Sequence, residues 1–240
     1  MVDVDAARLE QALAKLTVVM PVGPGDALAP ALHAQLAALP RGAELRVVFA
    51  EGAEPARIDV ASPRSGPDWR CLLAEPGRGS QQNAGARSGA REWLWFLHAD
   101  SVLAPDTLPA LARFIQRGEH ALGYFDLRFL QDGPALMRLN TLGAWLRSRW
   151  LGMPFGDQGL VLSRAAFERL GGFDPALAGG EDHDLVWRAR RAGLRLRPLQ
   201  APLYTSARKY RERGWWTTTT EHLSETWRQA RQFSRTQAPR

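Results

Sequence analysis

Short apolar runs alternate with helical patterns over the first half of the chain. Runs rich in β-branched and aromatic residues predict strands at Leu16–Val22, Leu45–Phe49, Trp69–Ala74 and Trp93–His98. Apolar residues at helical spacing predict helices at Leu28–Leu39, Ser80–Ala90 and Leu108–Gln116. Strands that alternate with helices favour a parallel sheet covered by helices on both faces.

The pattern changes after residue 120. Residues Ala121–Leu130 alternate as a half-exposed strand would, and Gly159–Leu162 predicts a short strand. Helices are predicted at Ala135–Trp150, Ala165–Leu170 and Glu181–Ala192. Residues 53–68 are rich in Pro, Gly, Ser and Ala, which predicts a loop. We therefore expect one α/β domain that is elaborated in its second half and ends in a helical tail.

Two polar residues, His98 and Asp100, stand at the end of the most apolar predicted strand. In an open parallel sheet, ligands bind beyond the carboxyl ends of the strands. His98 and Asp100 stand at such an end, two residues apart, so both side chains point to the same side. An imidazole and a carboxylate in this arrangement can hold a divalent ion. The alternative is a turn in which Asp100 caps a helix that begins near Pro105.

A glycine-rich turn, Gly77–Ser80, precedes a predicted helix and contains Arg78. Free backbone amides beside a guanidinium suit a phosphate or diphosphate. The turn is not a Walker loop, because no Gly-Lys-Ser/Thr sequence is present. A plain junction between a loop and a helix would have a similar sequence, so both interpretations stay open.

Three acids open another predicted helix, directly after Gly179 and Gly180. Glu181, Asp182 and Asp184 all lie in its first turn, where the helix dipole favours negative charge. Stabilisation of the helix end therefore explains them fully. The functional alternative is that one of these acids acts as a general base.

Four segments together resemble the family 2 glycosyltransferases of GT-A fold, from about Glu75 to about Trp216. The segments are GRGSQQNAGARSGA, WFLHADS, PFGDQGLVLSRAAFERLGGFD and EDHDLVWRARRAG. More closely, they resemble the subgroup associated with radical-SAM and selenoprotein-domain gene neighbourhoods. The resemblance implies a GT-A-type, Rossmann-like α/β fold over residues 1–213, with a mostly parallel central sheet flanked by helices. Residues 214–240 would then form a basic amphipathic C-terminal helix or tail.

The implied function is transfer of a sugar from a nucleotide-diphosphate sugar to a hydroxyl acceptor, as a metal-dependent and inverting reaction. The resemblance also implies roles for individual residues. Asp100 and His98 would bind Mn²⁺ or Mg²⁺, and Asp182, beside Glu181, would be the general base. The nucleotide pocket would be lined by Gly77, Arg78, Gly79, Gln82 and Asn83. The sugar and acceptor site would be shaped by Gly156, Asp157 and Gln158, and Arg208 would contact substrate from a basic-aromatic cluster of Arg208, Lys209 and Tyr210.

Two departures from the family pattern lie near the N-terminus. The first strand of the family usually ends in a Pro-x-Asn-Glu-like turn, whereas Val22–Asp26 follow Pro21 in this chain. The second strand usually ends in an Asp that reads the nucleobase, and Glu51 is displaced from that place by one residue. These departures keep open a catalytically silent nucleotide-sugar-binding protein on the same fold. A nucleotidyltransferase is disfavoured, because Val22–Asp26 contains no basic residue.

The net charge of +6 and the pI near 10.3 come mainly from the C-terminal tail, since residues 206–240 carry eight bases and three acids. The tail bases are interspersed with Glu and no nucleic-acid-binding motif is present, so we expect no nucleic-acid partner. Apolar residues recur at helical spacing from Trp216 to Ala230. This stripe either packs on its own domain or makes a peripheral contact with an anionic membrane, which would suit a lipid-linked acceptor.

Several features favour a cytoplasmic location, with peripheral contact at the inner face of the membrane as the alternative that the tail leaves open. The single cysteine, Cys71, cannot form an intrachain disulfide. The chain begins with acids rather than the bases of a signal peptide, and no apolar run reaches the roughly 18–20 residues of a membrane span. We interpret as core residues Cys71, Trp93, Trp95, Trp145, Trp150 and Trp187.

Overall fold

The computed structural model describes residues 2–24, 26, 28–52, 66–177, 179–220, 224 and 228 of the 240-residue chain. The strands are β1 Leu16–Val22, β2 Glu44–Ala50, β3 Asp68–Ala74, β4 Trp93–Phe96, β5 Val102–Leu103, β6 Ala121–Phe129, β7 Leu160–Ser163 and β8 Arg195–Thr205. The helices are α1 Val2–Leu13, α2 Pro30–Ala37, α3 Arg78–Ser88, α4 Thr107–Arg117, α5 Met137–Trp150, α6 Arg164–Arg169, α7 Glu181–Arg191 and α8 Arg208–Arg213. A 3₁₀ turn, Gly156–Gln158, precedes β7.

All eight strands belong to one sheet, in the order β3-β2-β1-β4-β7-β6-β8-β5. Strands β3, β2, β1 and β4 are parallel, and so are β6 and β8. Strand β7 joins these two parallel groups and is antiparallel to both of its neighbours, while β5 is antiparallel to β8. The predicted GT-A-type α/β fold, with a mostly parallel sheet flanked by helices, is therefore confirmed.

The sheet has a hydrophobic core on each face. Val18 and Trp95 pack in one core with the apolar sides of α2 and α4. Val19 and Phe96 pack in the other core with residues of α3, α6 and α7. Because successive residues of a strand point to opposite faces, a strand that is covered on both sides is apolar throughout. This double covering explains the uninterrupted apolar runs of β1 and β4.

Two large elements were not predicted from the sequence. Helix α1 packs against α4, and its residues Ala12 and Leu13 join the core. Strand β8 contains two prolines and Gln200, whose φ of 56° is in the left-handed region. The pairing of β8 with β6 shifts register at this place, between Tyr124 and Asp126. Prolines and a register shift are unusual inside a sheet, and they interrupt the sequence pattern by which β8 could have been predicted as a strand.

Some predictions of burial were wrong. Strand β6 is not half-exposed, since its first five residues are all buried between helices. Cys71 is exposed rather than part of the core, because β3 is an edge strand. Trp145 and Trp150 are exposed and Trp187 is half-buried, whereas the predicted burial of Trp93 and Trp95 is confirmed.

The described part of the C-terminal tail packs beside α5. Residues 215–220 are helical, and Trp215 Nε1 donates a hydrogen bond to Asn140 Oδ1 at 2.6 Å. Thr218 is buried, whereas Trp216 and Thr220 of the predicted stripe are exposed. The other stripe residues (Leu223, Trp227 and Ala230) and residues 53–65 of the predicted loop lie outside the described residues. Within the described ranges, no helix has the length and apolar character needed to cross a bilayer.

Candidate functional site

The sheet topology brings three of the predicted motifs to one edge. Phe96 at the end of β4 pairs with Leu160 at the start of β7. Because these strands are antiparallel, the residues after Phe96 and those before Leu160 emerge at the same edge. Helix α3 begins at this edge too, since Gln81 Nε2 donates hydrogen bonds to the carbonyl oxygens of Val22 (2.9 Å) and Val48 (2.7 Å) near the ends of β1 and β2.

The start of α3 presents positive charge. Gly77 precedes the helix with a φ of 126°, a conformation that glycine adopts without strain. The amides of the first helical turn, from Arg78 to Ser80, have no intrahelical acceptor, and the Gln81 amide makes the first such bond, to Gly77 O. Gly79 is buried beside the carbonyl of Asp174, and a Cβ at Gly79 would lie 3.2 Å from that oxygen. The Arg78 guanidinium adds a full charge to these amides.

Arg78 forms ion pairs with the first two residues of α7. Its Nε lies 3.5 Å from Glu181 Oε1, and its Nη1 lies 3.7 Å from Asp182 Oδ2. Both carboxylates are buried, while Arg78 is half-exposed. The residue before α7 is Gly180, which offers no side-chain cap, so neither acid serves as the helix cap. The two acids therefore point into a site that they share with α3.

Asp182 is held in a buried pocket, and its pKa is strongly shifted. Burial raises the pKa of Asp182 to about 7, the Arg78 charge opposes this shift, and the charges of Glu181 and Asp157 reinforce it. The backbone amide of Gly156 donates a hydrogen bond to this carboxylate. Its Oδ1 is buried and has no hydrogen-bond partner among the described residues. A carboxyl group that ionises near neutral pH, with a lone pair to spare, is suited to accept a proton.

Asp157, whose charge acts on Asp182, also acts on a second buried charged group, Arg147. Burial lowers the pKa of Arg147 to about 10, and the charge of Asp157 opposes this shift. The Arg147 guanidinium carbon lies 3.1 Å from the centre of the Phe155 ring. Burial raises the pKa of Tyr210, and the Asp157 charge raises it further. Asp157 is therefore electrostatically coupled to Asp182, Arg147 and Tyr210 together.

Two residues that were predicted to contact ligand, Gln158 and Asn83, form hydrogen bonds with the protein's own backbone instead. Gln158 is fully buried, where its Nε2 donates to Phe125 O at 2.9 Å and its Oε1 accepts from the Phe155 amide at 3.2 Å. Asn83 Nδ2 donates to Phe173 O at 2.8 Å, and its Oδ1 accepts from the Phe173 amide at 2.9 Å. These side chains hold loops in place.

A third predicted contact, Gln82, is also buried. Its Oε1 has no hydrogen-bond partner within the described ranges. Gln82 thus differs from Asn83 on the same helix, both of whose polar side-chain atoms are already engaged.

The structure does not place Asp100 as a helix cap. Helix α4 begins at Thr107, and the residue at its cap position is Asp106. Asp100 is exposed, and its Oδ2 accepts a hydrogen bond of 3.4 Å from Thr205 Oγ1 at the end of β8. His98 is half-buried two residues earlier.

A divalent ion at this place would need additional ligands. The described residues include no group of three or more His, Cys, Asp and Glu side chains that could hold a metal. An exposed carboxylate such as that of Asp100 fits an ion that takes its remaining ligands from water and substrate phosphates, as Mg²⁺ commonly does. The Asp100 carboxylate therefore fits a metal that binds together with a diphosphate, whereas the Nε2 atom of His98 is buried.

Arg208 lies apart from these contacts, at the start of α8. Its Nε is 3.8 Å from Glu212 Oε1 on the same helix, and both side chains are exposed. Asp132 accepts hydrogen bonds from Ser206 Oγ (2.5 Å) and the Ala207 amide (2.8 Å) just before this helix. Burial acts to raise the pKa of Asp132, but these hydrogen bonds outweigh it and hold the pKa below its ordinary value.

Sequence reasoning missed three residues of the site. Gln81 stands next to the predicted Gln82, and only the fold shows that it bridges two strand ends. Thr205 lies in the strand that was not predicted. Arg147 occupies an ordinary helical position, and no local signal separates it from the other arginines of α5.

Comparisons with known proteins agree with this fold. The sequence profile of the family described as "Glycosyltransferase like family 2" matches residues 25–236. A search of curated protein sequences found no match. The mannosyltransferase PcManGT from Pyrobaculum calidifontis, solved in complex with GDP-Man and Mn²⁺, superposes with a TM-score of 0.68 at 19% identity, covering 94% of this chain and 66% of its own.

TarS 1-349 from S. aureus is a second structural neighbour. In complex with UDP-GlcNAc it superposes with a TM-score of 0.60 at 17% identity, covering 80% of this chain and 58% of its own. In complex with UDP the TM-score is 0.62 at 17% identity, with coverage of 80% and 60%. This chain thus spans less than two thirds of each of these solved chains. At such identities the likeness concerns the fold.

Proposed function

Because the chain belongs to glycosyltransferase-like family 2, we propose that it transfers a sugar from a nucleotide-diphosphate sugar to a hydroxyl acceptor, with inversion at the anomeric carbon. The observation that carries this proposal is the Asp182 carboxyl, which is buried beside Arg78 and has a pKa of about 7. The donor class is supported by two structural neighbours, one solved with UDP-GlcNAc and one with GDP-Man.

In the proposed reaction, Asp182 accepts the proton of the acceptor hydroxyl. The acceptor oxygen forms a bond to the anomeric carbon while the bond from that carbon to the diphosphate oxygen breaks, which releases the nucleoside diphosphate. Arg78 and the first amides of α3 oppose the charge that develops on the leaving diphosphate. Arg78 reaches both Asp182 and this charge, because it lies at the junction of α3 and α7.

The residues that would hold a divalent ion are Asp100 and His98, and a bound Mn²⁺ or Mg²⁺ would supply further neutralisation of the diphosphate charge. The imidazole of His98 favours Mn²⁺ over Mg²⁺ as the preferred ion. A neighbouring structure contains Mn²⁺, which supports this proposal. The Thr205 hydroxyl orients the Asp100 carboxylate through its hydrogen bond.

The finer assignments are proposals of the same kind. The motif residues from Gly77 to Asp182 favour the subgroup associated with radical-SAM and selenoprotein-domain neighbourhoods. The proposed boundary between catalytic domain and tail lies at residues 213 and 214. A lipid-linked hydroxyl compound is the proposed acceptor class.

Binding and transfer are tested on the full chain. Thermal shifts with UDP-, GDP- and dTDP-sugars, with and without Mn²⁺, identify the donor, and release of nucleoside diphosphate measures turnover. We expect Asp182→Asn to keep donor binding and to lose about 10²–10⁴-fold in transfer. Transfer by Asp182→Asn at the wild-type rate would overturn the assignment of the base.

The role of Asp100 in metal-dependent donor binding is tested against a matched control variant at Asp106. We expect Asp100→Ala to lose the Mn²⁺-dependent part of the thermal shift. Asp106→Ala should retain it, because Asp106 precedes α4 without a side-chain cap bond. Donor binding without turnover on any acceptor tested would instead favour a catalytically silent nucleotide-sugar-binding protein.

A further inference from the structure

The outward face of α5 is apolar. Four large side chains on this face are exposed, and no described residue covers them. We call these four residues the α5 stripe: Leu139, Leu142, Leu146 and Trp150. Their spacing of three and four residues puts them in one row along the helix. Trp150 is the most exposed of them, at 78%.

The exposure of the stripe does not arise from a loosely placed helix. The opposite side of α5 is buried at Met137, Ala144 and Ser148. Tyr124 of the central strand β6 donates a hydrogen bond from its hydroxyl to Ser148 O at 3.2 Å. The rotation of α5 on the sheet is therefore fixed, and the stripe faces away from the core.

Neighbouring exposed apolar residues enlarge the surface. Leu136 and Leu151 lie just beyond the two ends of α5, and Trp145 lies within it. The adjoining helical segment 215–220 adds Trp216, which is 72% exposed. Single exposed apolar residues are ordinary on a protein surface, whereas a contiguous group of this size marks an interaction site.

Two arginines of α5 lie beside the stripe, and one of them is already ion-paired. No acidic residue occurs between Asp132 and Asp157. Of the three arginines in this interval, Arg147 is buried over the Phe155 ring, which leaves Arg138 and Arg149 beside the stripe. Arg138 is exposed and lies one helical turn before Leu142. Arg149 lies one turn after Leu146, pairs with Asp126 at 2.7 Å, and has its guanidinium carbon 5.9 Å from the centre of the Trp145 ring.

We propose that the α5 stripe is a membrane-docking surface that inserts at the headgroup boundary of an anionic lipid bilayer. Leu and Trp side chains on one face of a helix, with arginines beside them, are the composition of a helix that lies in this interface. The exposed Arg138 beside the stripe complements acidic lipid headgroups.

The surface is continuous along the chain with the candidate site. The stripe ends at Trp150, and the 3₁₀ turn that contacts Asp182 begins at Gly156. A bilayer beneath α5 would bring lipid-borne hydroxyl groups to the acceptor side of the site. This consequence rests on the proposed function, whereas the contact with the bilayer does not.

Vesicle binding by the full-length chain tests the inference. The chain is sedimented with vesicles of phosphatidylcholine alone and of equal parts phosphatidylcholine and phosphatidylglycerol. We expect binding to the anionic vesicles, and a fall of at least about tenfold in partitioning for Leu142→Gln combined with Trp150→Gln. The control variant is Leu73→Gln, because Leu73 is a leucine of similar exposure (58%) on β3.

Three results would overturn the inference. The first is equal vesicle binding by the double variant and the wild type, and the second is absence of wild-type binding to anionic vesicles. The third is loss of vesicle binding in Trp216→Ser but not in the double variant, which would assign the contact to the tail. Analytical ultracentrifugation measures self-association of the wild type and of the double variant. If the double variant loses self-association but keeps vesicle binding, the stripe is an interface between two copies of the chain. Donor thermal shifts that are unchanged in the double variant show that a loss of vesicle binding is separate from the proposed transfer site.

Discussion

Gly156 lies against the Asp182 carboxylate so closely that a Cβ at position 156 would meet all three of its carboxylate atoms within 2.7 Å. The Gly156 amide also donates a hydrogen bond to this carboxylate. We expect Gly156→Ala to displace Asp182 and to lower kcat/KM for transfer by about 10²-fold, the effect typical of a 1 Å misplacement at a reacting centre. Steady-state kinetics with the identified donor measure this loss.

Gly143 provides the matched control for this exchange. It lies within α5, and a Cβ placed there would meet no atom within 4 Å. We expect Gly143→Ala to retain the transfer rate and to raise the free energy of unfolding by about 0.5–1 kcal/mol, because alanine is favoured over glycine in a helix. A wild-type rate in Gly156→Ala would contradict the contact with Asp182.

The raised pKa of Asp182 predicts opposite effects of pH on stability and activity. Between about pH 4 and 7, the folded chain keeps a proton on Asp182 that the unfolded chain has released, because the pKa shifts from 3.8 to about 7 on folding. The free energy of unfolding should therefore fall as pH rises through this window, by up to about 4 kcal/mol from this group, and level off above pH 7. Transfer should rise over the same window, as the carboxyl ionises.

Chemical unfolding and kcat at a series of pH values measure the two trends. In Asp182→Asn the pH-dependent part of the unfolding free energy that belongs to this group should disappear. A wild-type slope between pH 4 and 7 in this variant would show that other groups are responsible.

Arg78 should set the position of the acidic limb of the activity profile. Its charge lowers the pKa of Asp182 against the effect of burial. We expect Arg78→Met to move the acidic limb upward by about one pH unit, the usual effect of removing an opposite charge at this range. Donor binding should also weaken, since the guanidinium faces the proposed diphosphate position.

Arg87 at the other end of α3 serves as the control, because it is exposed and lies more than two helical turns from Arg78. The Arg87→Met profile should coincide with that of the wild type. An unchanged acidic limb in Arg78→Met would mean that the ion pair with Asp182 does not form in the working protein.

The strands that could be predicted from the sequence are those buried on both faces. The bounds of β1, Leu16–Val22, agree with the prediction because every residue of that run is apolar or β-branched and both faces are covered. Strand β8 could not be predicted, since Pro198 and Pro202 interrupt its pattern while the neighbouring strands β6 and β5 hold it in the sheet. Pairing with neighbours, which no local pattern records, decides such cases.

The candidate site was predictable as a set of segments but not as a set of contacts. The resemblance selected both Arg78 and Asp182, and the structure adds that they form an ion pair across more than 100 residues of chain. It did not select Arg147, whose relation to Asp157 depends on how α5 docks beside the 3₁₀ turn. For Asn83 the prediction was a nucleotide contact, and the structure shows its amide engaged with a loop.

Asn83 gives a final prediction, which separates these two roles. Its amide makes both a donated and an accepted hydrogen bond with the backbone of Phe173. Asn83→Ala would leave the Phe173 amide and carbonyl without these partners, so we expect the free energy of unfolding to fall by about 2–3 kcal/mol. Arg87→Ala on the exposed side of the same helix should change it by less than about 0.5 kcal/mol. Denaturant unfolding measures both variants. Weaker donor binding in Asn83→Ala with wild-type stability would instead assign the side chain to the nucleotide pocket.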